Sequence, residues 1–224
     1  MVRGEACPRQ GVINVTRGRV VIGDSWMHLL ARQLVRPLLG TSIRPNHLTT
    51  LRLASGLIAC VCFSLGTGSG MGWGGAIWLI SALLDRADGE LARIGDMRSE
   101  SGHRYDYYSD VLVNTAFFAA IGVGLRNSWL GDWSILLGLL AGGALFLCMW
   151  WSELLERRSE PDTRAYGGRW GFDPDDALIL MAPFAWLGWL GPILIGAAAV
   201  APVVAVTTGI RLLRLKAVQS NLSS

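Results

Sequence analysis

The chain has 224 residues, of which 51% are hydrophobic and only 17% are charged, and its mean hydropathy is +0.39. A soluble domain usually carries about a quarter charged residues, so this composition argues against one and favours an integral membrane protein. The 4 cysteines form no CxxC or His-Cys pattern, which argues against a zinc site. The net charge of +3 says little by itself, and membrane topology explains the one-sided distribution of the basic residues better than nucleic-acid binding does.

Residues 1–43 precede the first long apolar run, and we expect them to form a cytosolic N-terminal segment. The first 20 residues are polar and basic and lack the apolar core of a signal peptide, so we expect none among them. Residues 24–39, DSWMHLLARQLVRPLL, carry apolar side chains at helical spacing. This spacing predicts an amphipathic helix, which either lies on the inner leaflet or packs as a cytosolic helix.

The rest of the chain, residues 44–224, contains six apolar segments long enough to cross a membrane. They run approximately over 47–66, 71–93, 103–125, 130–155, 175–189 and 191–213. We therefore predict an all-α integral membrane protein with six transmembrane helices and an N-terminal amphipathic helix. Of the 20 lysines and arginines, all except Arg126 fall on one side, which predicts that both termini face the cytoplasm.

Charged residues cluster at the inner ends of the second and third predicted spans. On a helix that turns by about 100° per residue, two sets of these residues each share one face. The sets are Asp85, Asp88, Gly89, Ala92 and Arg93 on the second span, and Gly102, Asp106 and Asp110 on the third. The stretch between the sets supplies a chain reversal, so we expect the two faces to converge at the cytosolic membrane surface.

Four carboxylates so close together cannot all remain ionised without partners, and divalent cations would relieve their repulsion. Oxygen ligands alone favour Mg²⁺ or Mn²⁺, with Ca²⁺ as a further option. Such ions often bridge phosphates, and Arg93 could bind a phosphate with two hydrogen bonds. The residues thus predict a metal-dependent diphosphate site. The alternatives are local pairs, Asp85 with Arg86 and Asp106 with Arg104, or a proton relay.

The pattern D-x-x-D-G-x-x-A-R-(x)8-G-x-x-x-D-x-x-x-D, from Asp85 to Asp110, resembles the signature of the CDP-alcohol phosphotransferases, also called CDP-alcohol phosphatidyltransferases. The stretch RPNHLTTLR (44–52) is similar to the Pro-Asn-x-x-Thr sequence that opens the first span in that family. The resemblance covers roughly residues 44–214. It implies a six-helix membrane protein, often a homodimer, with a cytosolic polar cavity in a bacterial or archaeal cell (inner) membrane.

The resemblance also implies a role for each signature residue. Two Mg²⁺ or Mn²⁺ ions would be held by Asp85, Asp88, Asp106 and Asp110, and Asp110 would also act as the general base. The CDP-binding residues would be Asn46, Thr49, Asp88, Gly89, Ala92, Arg93 and Gly102. The acceptor hydroxyl would attack the β-phosphorus and CMP would leave. For the acceptor alcohol we name Arg104, Arg157, Arg158 and Arg164, although the positive-inside rule explains the loop arginines equally well.

The substrate pair is the part of the function that the sequence leaves open. We favour CDP-diacylglycerol as donor in phospholipid biosynthesis, and we expect membrane lipid to surround the protein. CDP-choline, CDP-ethanolamine and CDP-inositol are the alternatives. A glutamate directly after Asp88-Gly89, here Glu90, resembles the inositol-phosphate branch of the family. Two other classes compete with this interpretation. An aspartate-rich membrane prenyltransferase would carry two distant aspartate motifs, and a small transporter would favour acids at mid-membrane and broken helices.

Overall fold

The computed structural model describes residues 26–157 and 176–222, and within these ranges it contains helices and turns but no strand. The predicted all-α class is therefore confirmed. The helices, in chain order, are α1 (Trp26–Val35), α2 (Pro45–Ser64), α3 (Gly68–Ile94), α4 (Glu100–Gly124), α5 (Trp133–Glu156), α6 (Asp176–Ile179), α7 (Met181–Trp186) and α8 (Leu190–Leu222). Two 3₁₀ turns, Arg36–Leu38 and Leu125–Asn127, follow α1 and α4.

Four helices of the described ranges have the length and hydropathy of membrane spans, namely α2, α4, α5 and α8. Helix α3 is also long, with 27 residues, but its inner end carries the charged residues of the signature. The segment predicted as the fifth span is divided between the short helices α6 and α7, which meet at Leu180. Pro183 has no N–H to donate to the carbonyl of Ile179, which favours a break at this point.

The long helices pack around an aromatic core. Helix α2 contacts α3 and α4, α4 contacts α5, and α5 contacts α8. Phe63 and Phe117 are fully buried, and their rings meet edge to face at 5.4 Å. Trp78 stacks on Phe117 at 4.2 Å. Gly56 allows the close approach of α2, since a Cβ there would lie 2.5 Å from a methyl group of Val113 on α4.

The first residues of α2, the last residues of α3 and the first residues of α4 lie together at one end of the helix bundle. Helix α2 begins there with Pro45 at its first position, where the missing N–H costs no helical bond. Helix α3 ends there. Helix α4 begins after Ser99, whose hydroxyl accepts a hydrogen bond of 3.1 Å from the N–H of Gly102. The short turn between α3 and α4 supplies the predicted reversal, with Asp96 at a φ of 52°.

Helix α1 packs against the inner part of α3. Ala31 and Val35 are fully buried, whereas Leu29, Leu30 and Leu34 are each more than 40% exposed. Helix α1 therefore lies within residues 24–39, and these three leucines point away from the protein core. A second small core joins α1 to α2 and α3, and it consists of Val35, Leu48, Ala87 and Leu91.

Candidate active site

Three carboxylates from two antiparallel helices converge where α3 ends and α4 begins. Asp85 of α3 and Asp106 and Asp110 of α4 each contribute one oxygen, and these oxygens all lie within 4.8 Å of one another. All three residues are partly buried. The two helical faces predicted from residue spacing therefore meet. Such a group of oxygens can hold a single cation more readily than it can exist as three unpaired charges.

Asp88 belongs to the same region but has a different environment. Its side chain is only 3% exposed. The hydroxyl of Thr49 on α2 donates a hydrogen bond of 2.7 Å to Asp88 Oδ2. One of its two oxygens is thus already engaged, and the bond fixes the direction of the other.

Arg52 is a central residue of the site that the sequence analysis did not assign. It is 4% exposed, and its Nε lies 2.8 Å from Asp85 Oδ1 while its Nη2 contacts Asp110 Oδ1. The guanidinium lowers the repulsion between these two carboxylates. A signal was present, because Arg52 follows Thr49 by three residues and therefore shares its face of α2.

The alternative pairs were Asp85 with Arg86 and Asp106 with Arg104. The first pair is long, and Arg104 bonds to a different carboxylate. Arg86 approaches Asp85 only to 3.9 Å. Arg104 donates a hydrogen bond of 2.9 Å to Glu100, one turn earlier on α4. Thr49 and Arg52 of α2 therefore contact the aspartates more closely than these two pairings would.

A cavity of about 530 Å³ opens at the aspartates. All four signature aspartates line it, together with Gly89, His28, Arg52 and His103. A Cβ on Gly89 would meet no atom within 4 Å, so this glycine leaves open space on the cavity wall. The lining also includes apolar side chains, those of Trp78, Met149, Leu178 and Ile179.

Other residues expected to bind CDP lie beside this cavity and not on its wall. Arg93 donates from Nη2 to both oxygens of Glu90, at 2.6 and 2.7 Å. Gly102 of α4 allows a close approach to α2, since a Cβ there would lie 3.2 Å from Asn46 Oδ1. Ala92 is partly buried one turn after Asp88.

The residues expected to bind the acceptor alcohol are not brought to the aspartates in the described ranges. Arg104 and Arg157 are both more than half exposed, and each pairs with a glutamate one turn earlier on its own helix. Arg158 and Arg164 lie outside the described residues.

The donor set fits a divalent metal ion. Every candidate ligand atom is a carboxylate oxygen, which suits Mg²⁺ and Mn²⁺. Asp106 Oδ1 is also buried and accepts no hydrogen bond from any described residue. A buried acceptor without a partner is unusual, and a cation would satisfy it.

Comparisons with known proteins agree with this geometry. A family model described as CDP-alcohol phosphatidyltransferase matches residues 42–210. A comparison with curated proteins finds no match. The fold is similar to that of the phosphatidylinositol phosphate synthase PgsA1 of Mycobacterium tuberculosis, which is 18% identical in sequence.

Two crystal structures of that synthase superimpose on this chain. The one with CDP-DAG bound gives a TM-score of 0.60 and covers 84% of this chain and 92% of its own. The one in complex with manganese and citrate gives 0.59, with coverages of 84% and 87%. At this identity the likeness establishes the fold, while the family model spans most of the sequence. The chain belongs to the CDP-alcohol phosphatidyltransferase family.

Proposed function

We propose that this enzyme transfers the phosphatidyl group of CDP-diacylglycerol to an acceptor alcohol and releases CMP. The observation that carries the proposal is the convergence of Asp85, Asp106 and Asp110 at a cavity that Asp88 and Gly89 also line. The similar synthase was crystallised with CDP-DAG bound, which supports the choice of donor. CDP-choline, CDP-ethanolamine and CDP-inositol remain the alternative donors.

The aspartates divide the work between holding metal and moving a proton. Bound Mg²⁺ or Mn²⁺ would neutralise the carboxylates and stabilise the charge that develops on the diphosphate. Asp85, Asp88 and Asp106 act as metal ligands in this scheme. Asp110 acts as a ligand and as the base. Gly89 leaves room for the nucleotide to approach the backbone of α3.

The reaction is a single displacement at phosphorus. The acceptor hydroxyl oxygen attacks the β-phosphorus of the CDP-alcohol and forms the new P–O bond. Its proton passes to the Asp110 carboxylate. The bond between the β-phosphorus and the bridging oxygen breaks, and that oxygen leaves with the electron pair on CMP.

Asp110→Asn tests the division of roles, because asparagine keeps the shape but cannot take the proton. We expect turnover to fall by about 10²–10⁴-fold, the usual contribution of a general base. CDP binding in the presence of Mn²⁺ should fall much less. Asp132→Asn is the matched control, since Asp132 directly precedes α5, makes no side-chain cap bond and does not line the cavity. Unchanged turnover in Asp110→Asn would contradict the assignment of the base.

The donor is tested with purified enzyme, labelled CDP-diacylglycerol and a panel of acceptors: glycerol phosphate, inositol phosphate, serine and choline. CMP and a labelled phospholipid should appear with one acceptor. If CMP forms only from CDP-choline, CDP-ethanolamine or CDP-inositol, then the donor assignment is wrong while the reaction class stands.

We also infer six membrane spans, with α3 and the α6–α7 segment as the two beyond the four apolar helices. Helix α3 would be about 40 Å long at 1.5 Å per residue, enough to cross a bilayer. The arginine bias supports an active site that faces the cytoplasm of a bacterial or archaeal cell, with α1 on the inner leaflet. The family resemblance supports a homodimer, and mass measurement of the enzyme in lipid nanodiscs tests it.

A further inference from the structure

Glu90 is a buried carboxylate that the catalytic scheme does not use. It follows Gly89 on α3 and is only 2% exposed. A charge in such a place is tolerated when it is paired and hydrogen-bonded. Its partners come from two helices, which are far apart in the sequence. Glu90 therefore links α1 to the helix that carries the first two signature aspartates.

The contacts around Glu90 are short. From α1, His28 Nδ1 lies 2.9 Å from Oε1 and Arg32 Nε donates to Oε2 at 2.8 Å. From α3, Arg93 Nη2 lies 2.6 Å from Oε1 and 2.7 Å from Oε2. One carboxylate thus holds three side chains at once, and hydrogen bonds between charged groups are the stronger kind.

Only one nitrogen of the Arg93 guanidinium is hydrogen-bonded among the described residues. Both of its bonds to Glu90 come from Nη2, and its Nε and Nη1 have no hydrogen-bond partner among the described residues. Its side chain is 37% exposed. Glu90 thus fixes the direction of the guanidinium while two of its three nitrogens remain available to an anion. A fixed guanidinium loses less freedom when it binds a phosphate, so binding is tighter.

His28 brings α1 to the cavity itself. Its ring lines the same cavity as the four aspartates, and the contact with Glu90 fixes its orientation. Arg32 does not line the cavity, so its contact with Glu90 serves to hold α1 in place. The N-terminal helix therefore supplies part of the wall that the nucleotide would face.

We propose that Glu90 is a positioning residue for the donor nucleotide. It holds the Arg93 guanidinium beside the cavity, where the two unpaired nitrogens would meet the donor's diphosphate, and it fastens α1 so that His28 completes the cavity wall. The inference rests on the proposed function, because it assumes that a CDP-alcohol occupies this cavity. It assigns Glu90 to the donor, and it makes α1 part of the donor site as well as a membrane-surface helix.

The test is Glu90→Gln, which removes the charge and keeps the side-chain size. We measure Mn²⁺ binding, CDP binding in saturating Mn²⁺, and steady-state kinetics with CDP-diacylglycerol. CDP affinity should fall and the donor KM should rise by about tenfold or more, because charged hydrogen bonds to Arg93 and Arg32 weaken. Mn²⁺ affinity, kcat at saturating donor and the acceptor KM should change by less than about threefold. Glu153→Gln, which loses a similar ion pair to Arg157 on α5, is the control.

A double-mutant comparison separates positioning from loss of fold. In the Arg93→Gln background, Glu90→Gln should cost less CDP affinity than it does in the wild type, because one target of Glu90 is already gone. If Glu90→Gln does not fold, as judged by thermal unfolding, Arg32→Gln takes its place. That variant should also raise the donor KM without changing Mn²⁺ affinity.

Two results would overturn the inference while leaving the proposed function intact. One is wild-type CDP affinity in a folded Glu90→Gln or Arg32→Gln enzyme. The other is a change confined to the acceptor KM, which would assign Glu90 to the acceptor. If the wild-type enzyme binds Mn²⁺ but no CDP, the proposed function itself fails and this inference fails with it.

Discussion

We predict that the hydrogen bond from Thr49 of α2 to Asp88 orients this carboxylate for metal binding. Thr49 is 2% exposed and donates at 2.7 Å to a carboxylate that is 3% exposed. Thr49→Val keeps the shape of the side chain and removes the donor. Asp88 Oδ2 is then left buried without this partner, and the carboxylate is free to rotate.

The size of the effect follows from the kind of bond. A hydrogen bond to a charged group contributes about 1.5–3 kcal/mol, and each 1.4 kcal/mol corresponds to about tenfold in an equilibrium constant. If the loss acts on metal binding, Mn²⁺ affinity should fall by about 10- to 100-fold. This is also the usual effect of removing a group that orients a metal ligand.

The assay is titration of the purified enzyme with Mn²⁺, with free Mn²⁺ followed by electron paramagnetic resonance. Thr50→Val is the matched control, because the Thr50 hydroxyl bonds to the Asn46 carbonyl and to Tyr105 on the exposed side of α2. That variant should bind Mn²⁺ like the wild type. Wild-type Mn²⁺ affinity in a folded Thr49→Val enzyme would refute the role given to this bond.

Three further predictions concern the cavity wall, helix packing and membrane topology. Gly89→Ala should leave stability unchanged or raise it by up to about 1 kcal/mol, yet weaken CDP binding, because its new methyl group enters open space on the cavity wall. Gly124→Ala should lower stability by about 1–3 kcal/mol, measured by thermal unfolding, because its Cβ would lie 2.1 Å from the Phe63 carbonyl oxygen. Single cysteines at Ser69 and Ser128, in a background without native cysteines, should be labelled from outside intact cells. Labelling only after permeabilisation would reverse the proposed orientation.

Much of the fold follows from local patterns in the sequence. The apolar runs predict α2, α3, α4 and α5 to within a few residues, because burial in lipid demands long apolar helices. The break at Leu180 was not predicted, since residues 175–189 are apolar enough for one span. Apolar length does not show where a proline will interrupt the hydrogen-bond ladder.

The candidate site was predictable where it depends on helical spacing. The convergence of Asp85 with Asp106 and Asp110 follows from shared faces and one chain reversal. The contact of Arg52 with Asp85 depends on how α2 packs on α3, which spacing within one helix does not give. The approach of α1 to Glu90 spans about 60 residues of sequence for the same reason.

Family membership decides between the classes that the sequence left open. The match over residues 42–210 favours the phosphotransferase over the prenyltransferase and the transporter. It does not choose the acceptor, because the match names the class of donor and not the alcohol that receives the group. The acceptor depends on side chains around the rest of the cavity, and the arginines we named for it are paired with glutamates or lie outside the described residues.

The central claim is tested most directly by CMP release from CDP-diacylglycerol by the purified enzyme. Mixtures with and without Mn²⁺ or Mg²⁺ are compared in the presence of the acceptor panel, with Asp110→Asn alongside. We predict CMP formation that requires the metal ion and an acceptor and that falls by at least about 10²-fold in Asp110→Asn. If a folded enzyme that binds Mn²⁺ releases no CMP from any CDP-alcohol, the account is contradicted.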